Sequence, residues 1–349
     1  MANTWLTGAL AEPRPENLLY LGRPDVVRCL EGIDVVATVR DALIRHHAGE
    51  TVLPSEAYLS WHNSRGAYTR SIGMPGAVAG SYGMKIINAS VSNPALGMER
   101  AGGLGLCFDR ETARVVAVME VGLLSAVRTA SVTAVALEAT GYGDPASLAV
   151  VGCGTQARVH LALLLSRHGG IRSVALHDTR TASAEALAAD SAARYPGVGF
   201  TVAGTAAEAM NGAEVVLFLT TVSEGYVEPE WVTPGSVLVH VSLADLTDDA
   251  LLGAAALYVD DIALIAENPR RPLGRLINEG RIATTPSAGR PAITATLGEL
   301  LTTGSVPARP DDGYVIVNPF GLGVLDVALF HAVHRRAAET GAGQRLPVF

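Results

Sequence analysis

Cysteine is scarce in this sequence. Three are spread through 349 residues, at Cys29, Cys107 and Cys153, with no C-x-x-C spacing. That excludes a disulfide-stapled scaffold and a thiolate metal centre, and it predicts a reducing compartment, the cytoplasm, with no bound metal. Charge is sparse too, and basic charge is the minority: 26 Lys and Arg face 34 Asp and Glu. A net charge of −8 without any Lys/Arg cluster argues against a nucleic-acid partner. No apolar run reaches the roughly 18 residues of a membrane span. The first five residues, Met-Ala-Asn-Thr-Trp, lack the basic-then-apolar order of a signal peptide. What is plentiful is apolar residue, nearly half the chain, in a length sufficient for two cores.

The most informative segment lies in the middle. Leu148-Ala-Val-Val151 is a short apolar run, followed at once by Gly152-Cys-Gly154-Thr155-Gln156-Ala157 and then a helical pattern, Arg158 to Arg167. Strand, tight turn and helix with G-x-G-x-x-A spacing form a dinucleotide-binding unit. Gly152 permits the turn, Gly154 lets backbone approach a pyrophosphate, and Ala157 lets the helix pack close. The helix N-terminus then offers free N–H groups to phosphate. Asp178, in His177-Asp178-Thr179-Arg180, lies where an acid should bind the ribose hydroxyls. An acid there repels a 2′-phosphate and favours NAD over NADP. Arg180 is the counter-signal, and capping of the next helix is the other use open to Asp178. Thr220 and Thr221 end the fourth strand of this unit, at the edge where a cofactor sits.

The periodicity predicts an α/β protein. Strands are expected at Leu148–Val151, Ser173–His177, Phe200–Ala203, Glu214–Leu219, Ser236–His240 and Ala256–Val259, spaced by helices. That pattern implies a parallel Rossmann-type sheet. Thr205-Ala-Ala-Glu208 is a capping box. Before the nucleotide unit, residues 34–47 read as an amphipathic helix ending in His46-His47, which suit its dipole. Leu104–Phe108 and Ala113–Met119 read as a hairpin around Asp109-Arg-Glu-Thr112, and Leu123–Ala139 as a helix. The proline- and aspartate-containing stretch 305–313 reads as a return linker before a last helix, Val324–Thr340. These boundaries predict a Rossmann domain at 131–313. Residues 1–130 and 314–349 would form an α+β substrate-binding domain.

Several segments together, Gly83-Met-Lys85, Ala126-Val-Arg128-Thr-Ala130, Val151-Gly-Cys-Gly-Thr-Gln-Ala157 and Gly321-Leu-Gly-Val-Leu-Asp326, resemble the ornithine cyclodeaminase/mu-crystallin family. The resemblance runs from about residue 18 almost to the end. It implies a homodimer of two-domain subunits, with the C-terminal helix completing the first domain. Gly97-Met-Glu-Arg-Ala101, Val241-Ser242-Leu-Ala-Asp245-Leu and Asn318-Pro-Phe-Gly-Leu-Gly323 resemble a subgroup of dehydrogenases. That subgroup oxidises N-(2-amino-2-carboxyethyl)-glutamate to 2-oxoglutarate and 2,3-diaminopropionate in natural-product biosynthesis. One departure stands out. The family usually places a carboxylate-binding Arg upstream of the pair here written Met74-Pro75, and no position between Glu56 and Trp61 is Arg.

The chemistry implied is hydride transfer from the Cα of an amino or secondary amino acid to NAD, followed by hydrolysis of the imine. Arg128 suits the carboxylate clamp, because a guanidinium binds carboxylate bidentately. The resemblance gives Lys85 a site role, holding the carboxylate or polarising the imine; by alternation alone it could face solvent. Asp245 is the acid/base candidate, or a helix N-cap. Ser242 joins the cofactor residues. Arg65 and Arg70 would hold further carboxylates, and Asp326 could face the site or cap the last helix. Three alternatives stay open: a cyclodeaminase acting on ornithine or lysine, an imine reductase, and a non-catalytic nucleotide-binding protein like mu-crystallin.

Overall fold

The computed structural model describes residues 17–286 and 289–347. The first sixteen residues of the expected first domain, and its last two, lie outside the described residues. Among the described residues, two eight-stranded sheets organise the fold. The first takes β1 (Asn17–Leu21), β2 (Thr51–Val52), β3 (Ala57–His62), β4 (Tyr68–Val78), β5 (Ser81–Ser90), β6 (Ala101–Phe108) and β7 (Val115–Glu120). The second takes β8 (Ser147–Val151), β9 (Ser173–His177), β10 (Gly199–Val202), β11 (Val215–Phe218), β12 (Val237–His240), β13 (Ala256–Val259), β14 (Ala295–Thr296) and β15 (Val315–Asn318). A final strand, β16 (Gln344–Pro347), returns to pair antiparallel with β1. Three helices accompany the first part: α1 (Arg23–Leu30), α2 (Val35–His47) and α3 (Gly122–Ala139). The second part carries α4 (Thr155–Arg167), α5 (Thr181–Arg194), α6 (Ala206–Met210), α7 (Asp248–Leu252), α8 (Ile262–Ala266), α9 (Pro272–Asn278) and α10 (Leu297–Thr303). The long α11 (Gly323–Thr340) precedes β16.

The second sheet is parallel throughout, in the order β10-β9-β8-β11-β12-β15-β13-β14. Strands covered on both faces need apolar residues at every position, and Val215–Phe218 and Val237–His240 are buried along their whole length. Strand order reverses between β8 and β11, which opens a crevice at the carboxyl ends where a nucleotide can bind. All six expected strands are present, with Ser173–His177 and Ala256–Val259 matching end to end. The Thr205–Glu208 box caps α6, and Asp34 caps α2 by accepting from the Ala37 N–H. His46 does more than suit a dipole: its Nε2 lies 2.8 Å from Asp261 Oδ2 and ties α2 to the start of α8.

Two expected boundaries need correction. Val315-Ile-Val-Asn318 belongs to the second sheet, between β12 and β13, so the expected first-domain segment beginning at 314 starts too early. Three β-branched residues in four suit a central strand; the upstream prolines obscured that signal. The chain therefore leaves the second sheet after Asn318, not within 305–313. The other boundary, at 130–131, falls inside α3, which is one unbroken helix. By length and composition α3 could cross a membrane, but most of it is buried against α2, α4 and α11, as a core helix is.

Alternation in the first sheet decides which side chains reach the site. Met74 pairs with Lys85 and Lys85 with Gly105, so these three share a face. Arg70 and Ile72 share it by period two, and on β3 so do Tyr58 and Ser60. Helix α11 lies on this face. A Cβ on Gly105 would stand 2.8 Å from Phe330, and one on Gly76 3.1 Å from Val324. Close approach of α11 is what carries Asp326 to Lys85.

Candidate active site

The glycine-rich turn has the geometry of a nucleotide cradle. Gly152 has φ +94°, and a Cβ there would lie 2.7 Å from the Leu219 carbonyl oxygen. Gly154 N-caps α4, and a Cβ on it would meet nothing within 4 Å, so that side is open to a ligand. Thr155 is the first residue of α4 and exposed, Ala157 is buried under the turn, and Gln156 keeps a buried Oε1 with no hydrogen-bond partner. Asp178 accepts from the Cys153 N–H at 2.8 Å and from the Arg180 N–H at 2.9 Å. Each of its oxygens retains lone pairs for ribose hydroxyls. The capping alternative fails, because α5 is N-capped by Arg180 without a side-chain bond. Thr179 and Arg180 are exposed beside Asp178, and Arg180 Nε lies 3.9 Å from its carboxylate. Thr220 and Ser242 stand at the carboxyl ends of β11 and β12, with Thr221 exposed next to them. These residues fit a dinucleotide. Gly152→Ala is expected to cost about 1–3 kcal/mol through positive-φ strain and to abolish tight NADH binding. Thermal unfolding and a fluorescence titration check both.

Lys85, Arg128 and Asp326 form one buried charge cluster. Lys85 Nζ donates to Asp326 Oδ2 at 2.6 Å, and Arg128 Nε donates to Oδ1 at 3.2 Å. Lys85 is 2% exposed and Asp326 fully buried. Burial pushes the Lys85 ammonium down to about 8, and Arg128 adds to that; Asp326 opposes the shift but divides its charge between two cations. Lys85 is also the only lysine in the sequence, every other basic residue being arginine. That compositional signal singles it out as strongly as any motif. Asp326 faces the site rather than capping α11, whose N-cap is Leu322. Arg128 also lies against the loop after β15: a Cβ on Gly321 would sit 3.0 Å from its Nη1.

Glu56 is a site residue that sequence reasoning missed. Continuing the β3–β4 ladder places it opposite Met74, in the row that holds Lys85. Burial pushes its carboxyl up, and the cations that oppose this are Lys85, Arg271, Arg70 and Arg128. An acid thus occupies the window where the family's Arg was sought. Arg70 is brought into the site, half-buried on the shared face. Arg65 is not. It is exposed in the β3–β4 turn, where its N–H donates to Asn63 Oδ1, because Asn63-Ser-Arg-Gly66 is built as a turn.

For Asp245 the N-cap alternative needs correction. It caps no helix, since Thr247 caps α7. It is fully buried and accepts from Thr220 Oγ1 at 2.6 Å, from Tyr226 OH at 3.2 Å and from Ser242 Oγ. His240 Nε2 lies 3.2 Å from the Asp245 backbone N and 3.6 Å from its Oδ2, and His240 Nδ1 lies 2.7 Å from the Asn318 amide. Burial alone would raise this carboxyl, but His240, Ser242 and Thr220 hold it below the usual range. An ionised carboxylate is a poor proton donor, and as an acceptor it suits the activation of water. It fastens the loop after β12 to the ends of β11 and β15. Elsewhere, Cys107, His331 and His334 bring donor atoms within 4.8 Å of one another. His331 Nε2 is committed to the Tyr82 carbonyl at 2.8 Å and burial pushes the Cys107 thiol up to about 12, so the trio reads as packing between α11 and β6.

Comparisons with known proteins agree with this fold. The model of the ornithine cyclodeaminase/mu-crystallin family matches residues 23–341. The N-((2S)-2-amino-2-carboxyethyl)-L-glutamate dehydrogenase of Staphylococcus aureus is 28% identical over 343 residues, covering 95% of this chain and 99% of that protein. The crystal structure of CmnK superposes with a TM-score of 0.88 at 42% identity, over 96% of this chain and 99% of that one. An archaeal alanine dehydrogenase dimer with bound NAD superposes at 0.82 with 22% identity, over 96% and 100% of the two chains, which is a likeness of fold.

Proposed function

The chain belongs to the ornithine cyclodeaminase/mu-crystallin family, and from that premise we propose that it is an NAD-dependent dehydrogenase acting on a CH–NH donor. The proposed substrate is N-(2-amino-2-carboxyethyl)-L-glutamate, cleaved to 2,3-diaminopropionate and 2-oxoglutarate. The observation that carries this reading is the Lys85–Asp326–Arg128 cluster: two cations from β5 and α3, held by one carboxylate from α11. The S. aureus relative supports the substrate.

A nicotinamide bound at the β8–α4 turn would accept the hydride released from Cα. The chain's own residues do the rest. Arg128 and Lys85 grip the α-carboxylate at that Cα, with Asp326 fixing both heads in direction. The Lys85 ammonium lies in a buried site, where its charge acts strongly on a polarised C=N bond. Loss of hydride leaves a secondary imine at the glutamate Cα. Water adds to that carbon and the C–N bond breaks, giving the keto acid while the nitrogen leaves with diaminopropionate. NAD is preferred to NADP because Asp178 stands at the end of β9. Asp178→Asn keeps an acceptor for the Cys153 N–H but removes the charge. It is expected to weaken NADH by about tenfold and to raise NADPH affinity relative to it, read by parallel fluorescence titrations.

Two further features suit the reading. The other face of the first sheet leaves Leu59, Tyr82 and Leu104 exposed, apolar surface that a second copy of the chain would cover in a homodimer. The three cysteines are buried and unpaired, as in a cytoplasmic enzyme. The test is a substrate panel with NAD: the glutamate adduct, ornithine, lysine and alanine. NADH with 2-oxoglutarate from the adduct alone supports the proposal. Ammonia and a cyclic amino acid without net NADH would replace it with a cyclodeaminase.

A further inference from the structure

The segment between α8 and α9, Glu267-Asn-Pro-Arg-Arg271, reaches from the second sheet to the first. Arg270 stacks over the Tyr58 ring, 4.1 Å from its centroid, and Ser55 Oγ donates to Glu267 Oε2 at 3.4 Å. Tyr58 lies on the face that carries Arg70 and Lys85. Arg271 is therefore brought to the rim of the same cleft from the opposite wall. Its guanidinium lies 4.2 Å from the Phe320 ring centroid, and its Nη2 donates to the Phe320 carbonyl at 3.3 Å. Its Nη1 is buried with no hydrogen-bond partner. Nearby Asp260 is occupied, since both of its oxygens accept backbone N–H groups, from Phe320 at 2.8 Å and Gly321 at 2.7 Å.

The charge arrangement is unbalanced. Asp326 serves Lys85 and Arg128, and Asp260 and Glu56 face Arg271 and Arg70, so four cations meet three acids. A buried guanidinium with an unused donor in a cation-rich cleft wants an anionic group with paired oxygens. We propose that Arg271, with Arg70 across the cleft, forms a subsite for the distal carboxylate of a dicarboxylic amino substrate. In the adduct that group is the γ-carboxylate of the glutamate moiety, and in this detail the inference rests on the function proposed above. Arg271 takes over, from the nucleotide-domain side, the task that the family gives to an upstream Arg on the substrate-domain side. Phe320 holds the guanidinium plane in position for a bidentate contact.

The experiment compares the glutamate adduct with its glutamine counterpart, which has the same shape without the charge, in wild type, Arg271→Met and Arg271→Lys. Wild type is expected to favour the glutamate adduct in kcat/KM by about a hundredfold. Arg271→Met should lose most of that preference, mainly through KM for the glutamate adduct, with NADH affinity unchanged. Arg271→Lys should recover part of it. A preference that survives in both variants overturns the subsite while leaving the dehydrogenase reading intact. Glutarate and butyrate titrated into the NADH complex separate the two failures. If neither adduct turns over, the function falls, and glutarate binding that weakens tenfold or more in Arg271→Met still supports the subsite. Glutarate binding equal in wild type and variant overturns it.

Discussion

Lys85→Met is expected to lower kcat/KM by about a thousandfold while NADH binds as in wild type. The methionine keeps the apolar bulk of the side chain and removes the charge that pairs with Asp326. On the proposed mechanism the ammonium acts on a bond polarised during the reaction as well as on the resting carboxylate, so the effect should lie in kcat as well as KM. The pH dependence carries a second signature. Burial holds the ammonium at about 8, below its ordinary 10.5. The proposed mechanism uses the charged form, so kcat/KM should fall as pH rises through about 8. Lys85→Arg, charged at every accessible pH, should lack that falling limb. For stability the sign is opposite. The unfolded chain holds this proton more tightly, so the Lys85 contribution improves as pH climbs from about 8 towards 10.5. Because no other lysine exists in the chain, an amine-selective reagent can modify only Lys85 and the N-terminus. A mass shift at Lys85 that substrate suppresses would report its exposure to the cleft directly.

Asp326→Ala is expected to destabilise the fold by about 3–5 kcal/mol, since it strips the shared counter-ion from two buried cations. Asp326 is fully buried at the contact of α11 with β5 and α3. Its loss should therefore loosen the first sheet from its covering helix rather than only slow turnover. Chemical denaturation of Asp326→Ala, Lys85→Met and the double variant separates the pairwise term. The double variant should be less destabilised than the sum of the singles, because an uncompensated lysine is no longer left behind. Strict additivity would mean that the two side chains do not share an ion pair.

The nucleotide half was legible because its signals are local. A strand ending in Gly152-Cys-Gly154, an acid at Asp178 and a capping box at Thr205 each act within a few residues, and the structure keeps all three. β15 was missed because four residues after a proline-rich stretch carry little periodicity, and only pairing with β12 and β13 makes them a strand. The substrate side was legible in part. Lys85 and Arg128 stood out through their motifs and do converge. The role of Asp326 depends on how α11 docks, which glycines at 76, 83 and 105 permit but no pattern within the helix announces. Arg65 and Arg70 looked equivalent in sequence, and the β3–β4 turn separates them. Glu56 and Arg271 come from irregular segments on opposite walls, where no motif links them. For Asp245 the acid after the fifth strand was legible, but the hydroxyls of Thr220, Tyr226 and Ser242 that converge on it were not, two of them lying far upstream.

The most direct measurement uses the glutamate adduct deuterated at the glutamate Cα, incubated with NAD and the purified protein. The expected outcome is NADH carrying the deuterium, one equivalent of unlabelled 2-oxoglutarate and one of 2,3-diaminopropionate, with a slowed rate wherever hydride transfer limits turnover. Deuterium retained in the organic product, or NADH formed without it, would contradict oxidation at that carbon and with it the role assigned to Lys85 and Arg128.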